Sequence, residues 1–200
     1  TLRHALSHRT GIPDNWRDRM EGGKLRLDWE PGTRAKYSGE NYVMAARYAM
    51  TATDTRLDRL AQQALFAPVG MSDTFFTPDP SWEGRVAMVR GEDGSLRLPD
   101  NSPQGNAADN VHTTIGDYAR FVAAATRGDG LPPELVEARG TIYDDQTEQV
   151  CPPGLIPQDK CAKANGFGLG WIILDTGTNR FHLHSGKDWG ERTVALFEPD

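Results

Sequence analysis

An alternating run near the end of the chain, FHLH at residues 181–184, leads directly into the stretch HSGKDWG at residues 184–190. Alternation of apolar and polar residues predicts a β-strand, in which His184 and Gly186 share one face and Ser185 lies on the other. The imidazole of His184 can accept a proton, and Gly186, two positions later, has no side chain to cover the backbone beside it. This arrangement suits an acyl group held against backbone N–H donors. Taken by itself, the run is also consistent with a half-buried strand that ends in a glycine turn.

Hydrophobic periodicity places helices in the first 150 residues and antiparallel strands after residue 164. We predict helices near 41–51, 54–66 and 114–127, and strands near 168–175, 180–186 and 192–198. Ser38 is the expected N-cap of the first of these helices, and Thr114 opens the third in a capping-box pattern. Helical and loop-rich segments followed by a small antiparallel meander make the fold class α+β rather than alternating β/α.

Length and charge limit the possible partners. The 200 residues are enough for one domain, and a net charge of −6 with scattered Lys and Arg disfavours nucleic-acid binding. No apolar run reaches membrane-spanning length. The 21 glycines and 13 prolines indicate that much of the chain is loop and turn. The chain begins with Thr1 rather than Met, so the absence of a signal peptide carries little information.

The two cysteines, Cys151 and Cys161, lie in the loop-forming sequence CPPGLIPQDKC. No further ligands at metal-binding spacing accompany them, and a short disulfide-closed loop is the favoured interpretation. Such a bond implies an oxidising compartment. The alternative is a pair of free thiols on a cytosolic loop.

Two pairs of histidines have the spacing of metal ligands. His4 and His8 are one helical turn apart, and His182 and His184 share a strand face. Neither pair has a carboxylate or cysteine at ligand spacing, so we expect neither a metal site nor a cofactor. A metal-binding protein of unrelated α+β fold is therefore the least favoured alternative.

Six segments, in order, resemble the serine β-lactamase and penicillin-binding family, in particular the class C-like branch with its esterases and D-amino-acid peptidases. They cover nearly the whole chain and are TLRHALSHRTGIP, EPGTRAKYSGENY, LFAPVGMSDTFF, GNAADNVHTTIGDYARFV, GFGLGW and HSGKDWG. The resemblance implies a partial β-lactamase/transpeptidase-like domain over residues 1–200, mainly helical and loop-rich over 1–150 and stranded over 164–200, with an incomplete sheet.

The resemblance also implies roles for individual residues. Tyr37 matches the tyrosine of the family's Y-x-N motif, which helps to activate the nucleophilic serine or the deacylating water. His184 and Gly186 match the K-T-G strand motif, so that Ser185 and Gly186 would line the substrate. The backbone N–H of Lys187 would then be one oxyanion-hole donor.

Two departures from the family pattern stand out. Gly39 occupies the third position of the tyrosine motif and lacks the side-chain amide that orients substrate there. No serine has a lysine three positions later, so the S-x-x-K nucleophile is missing from these residues. Thr33-Arg34-Ala35-Lys36 has the spacing, but it directly precedes Tyr37 and is interpreted as a loop coincidence.

The leading hypothesis is a fragment of a periplasmic or secreted serine hydrolase that acts through an acyl-enzyme on an amide, a β-lactam or an ester. The expected partner is a small-molecule or peptidoglycan-like substrate, with no nucleic acid and no transmembrane segment. The alternative is a non-catalytic relative that keeps the fold as a binding or regulatory module. We also expect unpaired strand edges that promote self-association.

Overall fold

A computed structural model of the chain describes residues 1–14, 20–77, 82–98, 105–188 and 190–199. Trp189 of the HSGKDWG stretch therefore lies outside the described residues. The helices are α1 (Leu2–Leu6), α2 (Glu40–Thr53), α3 (Leu57–Ala61), α4 (Ala67–Val69), α5 (Ile115–Arg127), α6 (Pro133–Arg139) and α7 (Thr147–Val150). A π-helical turn, Gln62–Phe66, joins α3 to α4, and a 3-10 turn covers Gln158–Lys160.

Within the described ranges, the strands form one five-stranded antiparallel sheet and two small hairpins. The hairpins pair β1 (Met20–Glu21) with β2 (Lys24–Leu25) and β3 (Val89–Arg90) with β4 (Leu96–Arg97). The large sheet has the order β5 (Asp144–Asp145), β6 (Ala164–Phe167), β7 (Ile172–Asp175), β8 (Arg180–Asp188) and β9 (Glu191–Phe197). Successive strands are neighbours, so the predicted meander and the α+β class are confirmed.

The strand register sorts the sheet's side chains onto two unlike faces. Ile173 pairs with His182, and His182 pairs with Phe197, so these three side chains share one face, where all are buried. Val194 and Leu196 lie on the other face and are 61% and 55% exposed. The period-two alternation of β9 therefore produces one packed face and one largely open apolar face.

The helices cover the packed face. The Phe121 ring of α5 stacks 6.1 Å from the Trp171 ring, which in turn lies 4.9 Å from the Phe197 ring in an edge contact. Thr114 caps α5 as predicted, because its side chain accepts a hydrogen bond from the Asp117 N–H at 3.2 Å. At the other end of α5, Gly128 adopts φ +74°, a left-handed conformation that glycine tolerates well.

Several predicted boundaries are wrong for local reasons. Ser38 does not cap α2: its side chain is buried without a partner among the described residues, and Gly39 is the N-cap. The second helix begins at Leu57 rather than Asp54, because Asp54 ends α2 in a left-handed conformation at φ 48°. The strand expected from residue 168 begins at Ile172, because Gly168–Trp171 form a turn in which the Gly168 N–H donates to the Trp171 carbonyl.

Cys151 and Cys161 are joined by a disulfide whose Cα atoms are 6.0 Å apart. The bond closes the exposed loop between α7 and β6, which matches the disulfide predicted from the spacing. Across the described ranges, the longest helices fall short of a bilayer's thickness or are too polar to cross it.

Candidate active site

The loop that follows α1 places His8 in contact with the segment that carries Tyr37. His8 has a positive φ of 56°, and its carbonyl accepts a hydrogen bond from the Lys36 N–H at 3.0 Å. Its Nδ1 accepts from the Ser38 N–H at 3.3 Å and lies 3.4 Å from the Asn41 side-chain nitrogen. These contacts attach both flanks of Tyr37 to one buried residue, with Lys36 bonded to the backbone of His8 and Ser38 to its imidazole.

Four rings from three distant parts of the sequence meet at this point. The His8 ring centroid lies 4.5 Å from that of Tyr37 and 5.2 Å from that of Tyr42. The His184 ring on β8 lies 6.4 Å from Tyr37 and 6.5 Å from Tyr42. Tyr37 and His184 thus converge as predicted, with Tyr37 half exposed and His184 more buried.

Burial sets the protonation of both candidate catalytic side chains. The pKa of Tyr37 is raised above 10 by burial, and the nearby Asp14 carboxylate raises it further. The pKa of His184 is lowered below 6.5 by burial, although a hydrogen bond with the Ser185 backbone opposes this shift. At neutral pH the phenol is therefore protonated, and the imidazole is neutral and able to accept a proton. The phenol becomes a base only if a cation approaches it.

The supporting rings are held in their neutral forms as well. Burial, followed by interaction with His184, lowers the pKa of His8 to about 4. Burial also raises the pKa of Tyr42, whose hydroxyl donates to the Leu6 carbonyl at 3.3 Å. Both groups therefore act as packing and hydrogen-bonding elements rather than as charges.

The hydrogen-bond alternation of the sheet gives the direction of the Lys187 amide. The Asp175 carbonyl accepts a hydrogen bond from the Lys163 N–H at 2.7 Å, so the backbone groups of Asp175 point toward β6. Backbone groups alternate in direction along a strand, so those of Leu174 and Ile172 point toward β8. Their partners Phe181 and Leu183 face β7, and the backbone groups of Ser185 and Lys187 point to the same side.

That side of β8 is open beyond Leu183. Pairing with β7 ends at Ile172, and the preceding chain turns away, since the Gly170 N–H donates to the Leu6 carbonyl at 3.0 Å. On the other side, β9 stays paired as far as Asp188. Among the described residues, no strand occupies the edge where the Ser185 and Lys187 N–H groups emerge. Those amides can bind an acyl oxygen.

Gly39 and Asn41 explain the altered tyrosine motif. A Cβ at Gly39 would lie 3.3 Å from the Ala108 Cβ, a tight contact that Ala108 relieves only by shifting slightly. The Gly39 N–H donates instead to the Asp14 carboxylate at 2.9 Å. Asn41 is buried and engaged by Thr10 and His8, so its amide does not replace the missing one.

Ser185, Gly186 and Lys187 follow His184 directly on β8 and are exposed, and Thr33 is exposed as well. The Thr33 hydroxyl donates to the Glu30 carbonyl at 2.7 Å in an exposed turn, which agrees with its interpretation as a coincidence. No group of three metal-binding side chains occurs in the part of the chain that the structure describes.

Sequence reasoning missed His8 and Asp14 as members of the site. His8 was considered only as a metal ligand, and Asp14 received no role. The available signal was the sequence SHRTGIPD at residues 7–14, in which two polar residues flank a glycine and a proline. Such a composition indicates an ordered loop, but it does not reveal the loop's partner thirty residues later.

Comparison with known proteins identifies the family of the chain. The family model described as Beta-lactamase matches residues 1–200. D-alanyl-D-alanine-carboxypeptidase/endopeptidase AmpH of Escherichia coli is 26% identical over 149 residues, which make up 74% of this chain and 37% of that protein. The chain therefore spans just over a third of the length of this curated relative.

Solved structures show the same fold. The octameric penicillin-binding protein homologue from Pyrococcus abyssi superposes with a TM-score of 0.72 at 19% identity, over 100% of this chain and 49% of that one. D-alanine carboxypeptidase AmpC from Burkholderia cenocepacia gives a TM-score of 0.72 at 20% identity, over 98% and 62% of the two chains. At these identities the structural likeness establishes the β-lactamase/transpeptidase fold alone.

Proposed function

The chain belongs to the Beta-lactamase family, whose model matches it from end to end, and from this premise we propose that it forms the tyrosine- and histidine-bearing part of a serine hydrolase. The reaction is acyl transfer: a serine hydroxyl attacks an amide, β-lactam or ester carbonyl, and water then releases the acyl group. The convergence of Tyr37 and His184, whose ring centroids are 6.4 Å apart beside an open strand edge, carries the proposal.

The residues of the site divide the work of such a reaction. His184, neutral at neutral pH, accepts a proton or a hydrogen bond from the reacting group. The Lys187 N–H donates to the developing oxyanion from the open edge of β8. Ser185 and Gly186 line the substrate beside it, together with the backbone of Gly39, the N-cap of α2.

Tyr37 requires help to act as a base. Both burial and Asp14 raise its pKa, so the phenolate forms only beside a positive charge. We infer that this charge and the serine come from an S-x-x-K segment outside the 200 residues. In the 200-residue chain, without that segment, the protonated Tyr37 hydroxyl serves as a hydrogen-bond donor.

The substrate class follows from the relatives only in outline. Two of them are D-alanine carboxypeptidases by name. A peptidoglycan-like amide is therefore the first substrate to test, with β-lactams and esters next. The disulfide between Cys151 and Cys161 supports a periplasmic or secreted location, because such bonds persist in oxidising compartments.

A non-catalytic binding module is the second candidate. The Gly39 site favours it, because the motif's side-chain amide is absent and neighbouring Ala108 leaves little space for one. Such a module would retain the cleft and bind the same acyl compounds without covalent reaction.

A fluorescent penicillin tests the proposal through a covalent label that survives a denaturing gel. The 200-residue chain alone should remain unlabelled. It supplies oxyanion donors and a base, but it has no nucleophilic hydroxyl to which the acyl group could be attached. The parent chain, extended by about a hundred residues upstream, should be labelled at a serine of S-x-x-K. Tyr37→Phe and His184→Ala in that chain should each slow labelling by about 10²-fold or more.

Two results would contradict this proposal. Label that maps to a Ser or Thr within the 200 residues would mean that the nucleophile had been misplaced. A parent chain with no S-x-x-K, which binds but never retains the label, would establish the binding module instead.

A further inference from the structure

The segment that carries Tyr37 is attached to the five-stranded sheet by a carboxylate from β5. The Ala35 N–H donates to Oδ2 of Asp144 at 2.9 Å, across 109 positions of the sequence. Among the hydrogen bonds of the described residues, this one alone joins the backbone of residues 35–39 to the sheet. The remaining N–H donors of the segment that have partners bond to the loop after α1, and they are those of Lys36, Ser38 and Gly39.

Both oxygens of the Asp144 carboxylate are engaged, so its orientation is fixed. Oδ1 accepts from the side-chain amide of Gln146, and Oδ2 accepts from the Ala35 N–H. The Gln146 backbone N–H in turn donates to the Asn165 carbonyl of β6 at 2.7 Å. Hydrogen bonds to a carboxylate are stronger than those between neutral groups. The half-buried Asp144 therefore reaches the Tyr37 segment as an oriented acceptor rather than as a mobile surface charge.

β5 lies close against β6 because of a glycine. Asp144 pairs with Phe167, and the Tyr143 N–H donates to the Phe167 carbonyl at 2.8 Å. A Cβ at Gly166 would collide with the Asp144 carbonyl oxygen, so only glycine lets the two backbones approach this closely. Since β5, β6, β7 and β8 are paired in succession, Asp144 belongs to the same sheet as His184.

Two supports thus determine where Tyr37 lies relative to His184. The loop after α1 holds the segment through His8. Asp144 holds it from the sheet that carries His184, whose ring centroid is 6.4 Å from that of Tyr37. Without the Asp144 acceptor, the segment keeps its attachment to the loop but is free to move relative to β8. A displacement of about 1 Å can slow an enzymatic reaction roughly 10²-fold.

We propose that Asp144 is a positioning residue of the active site, which accepts the Ala35 N–H and thereby holds the Tyr37 hydroxyl and the His184 imidazole against the same acyl group. Asp144 acts through the backbone of residues 35–37 rather than on the substrate. The catalytic part of this inference rests on the proposed acyl-transfer function. The structural part, a distance between Tyr37 and His184 that depends on Asp144, does not.

Hydrogen exchange in the 200-residue chain, labelled with ¹⁵N-alanine, tests the attachment. Asp144→Ala removes the acceptor, so the Ala35 amide should exchange about tenfold faster or more. Asp144→Asn retains a side-chain oxygen, so exchange should stay within about threefold of wild type. Asp145→Ala is the matched control, because the adjacent Asp145 accepts from the Thr147 N–H at 2.8 Å, two residues away. Its loss should change the exchange of Ala35 by less than about twofold.

The ring contact and the labelling rate test the consequence for the site. In Asp144→Ala, nuclear Overhauser effects between the Tyr37 and His184 rings should weaken, because they fall steeply with distance. In the parent chain, saturating fluorescent penicillin should label Asp144→Ala about tenfold more slowly or worse. Saturation removes any effect on binding, so the loss reports on the geometry of the reacting groups. Asp144→Asn should recover most of the rate, because it restores the acceptor.

Asp144→Glu provides a second test in case Asp144→Ala does not fold. It keeps the charge but moves the acceptor by one methylene. We expect it to speed the exchange of Ala35 and to slow labelling, each by about threefold. Thermal melting of every variant confirms folding before these measurements.

The outcomes separate this inference from the function on which it rests. Unchanged exchange of Ala35 in Asp144→Ala, or unchanged ring contacts despite faster exchange, overturns the positioning role even if the parent chain is labelled by penicillin. A loss of labelling in Asp144→Asn as large as in Asp144→Ala also overturns it, since the charge rather than the acceptor would be responsible. A parent chain that is never labelled, with exchange and ring contacts that respond as expected, removes the acyl-transfer proposal alone.

Discussion

At the scale of single residues, His8 controls the position of Tyr37 through three kinds of contact. Its imidazole accepts a hydrogen bond from the Ser38 N–H, packs against the Tyr37 ring at a tilt of 39° and contacts the Asn41 amide at the start of α2. Because Nδ1 is the acceptor of the Ser38 N–H, the neutral ring carries its proton on Nε2. His8 is therefore a positioning residue rather than a catalytic one.

Two substitutions at His8 separate the acceptor from the ring. His8→Asn offers an oxygen near the position of Nδ1, and His8→Phe keeps a ring without an acceptor. We expect the Ser38 amide to exchange its hydrogen faster in His8→Phe, at a cost of about 1–3 kcal/mol for the unpaired donor. The exchange should be closer to wild type in His8→Asn. Equal protection of Ser38 in wild type and His8→Phe would mean that the imidazole does not hold this backbone.

The pH dependence of stability reports on the buried imidazoles of His8 and His182. Each has its pKa lowered from 6.5 to about 4, in both cases chiefly by burial; His184 lowers it further for His8, and Arg139 for His182. The folded state therefore binds fewer protons than the unfolded state between those values. Stability is fully present above pH 6.5 and falls as the pH drops toward 4, by up to about 1.4 kcal/mol per pH unit for each histidine.

Urea unfolding at pH 7.0, 6.0 and 5.0 measures this slope. His182 has both ring nitrogens buried without partners among the described residues, so His182→Leu removes a titrating group without breaking a hydrogen bond to any of them. The variant should lose stability less steeply on acidification than wild type. Parallel curves for the two proteins would indicate that His182 is not held neutral by the fold.

At the scale of elements, the segments with strong periodicity were predicted well. Helices α2 and α5, the strands β8 and β9 and the disulfide follow from patterns within about ten residues. The π-helical turn at Gln62–Phe66 and the two-residue strand β5 were not foreseen, because each depends on packing against distant segments rather than on local propensity.

The same division explains which parts of the site were foreseen. Tyr37 and His184 belong to recognisable motifs, so their convergence was expected. The role of His8 depends on contacts across thirty or more residues, from Ser38 to Phe167, whose ring lies 4.9 Å away. No pattern local to residues 7–14 encodes those contacts.

The loop after α1 depends on glycine at position 11. Gly11 adopts φ +76°, and a Cβ there would collide with the Trp29 carbonyl oxygen. Gly22 has a similar φ of +55° but open space around it, which makes it a matched control. We expect Gly22→Ala to cost about 1–2 kcal/mol, from the left-handed backbone alone. Gly11→Ala should cost roughly 3 kcal/mol or more, because overpacking is added.

Chemical denaturation of both glycine variants checks this prediction. The His8 and Tyr37 resonances should also shift in Gly11→Ala and remain in place in Gly22→Ala, since only the first glycine lies in the loop that carries His8. Similar losses of stability in the two variants would show that the contact with Trp29 relaxes without cost.

At the scale of the whole molecule, the sheet has one blunted edge and one open edge. β5 is only two residues long and consists of Asp144 and Asp145, a short charged strand that resists pairing. β9 is seven residues long, and no strand among the described residues pairs with its outer side. The backbone N–H and C=O groups on that outer side therefore have no strand partner among the described residues. Val194 and Leu196 on β9 add exposed apolar surface beside them.

We therefore predict that the 200-residue chain self-associates through β9. Burial of a leucine or valine side chain at such a contact contributes about 1.5–3 kcal/mol, so Val194→Lys or Leu196→Lys should weaken association about tenfold or more. Leu155→Lys on the disulfide loop is the control, because Leu155 is 81% exposed but lies far from β9 in the sequence. Sedimentation velocity over a hundredfold range of concentration measures the effect. A wild-type chain that stays monomeric throughout, or a Leu155→Lys variant that dissociates as readily as Leu196→Lys, would contradict the assignment of the contact to β9.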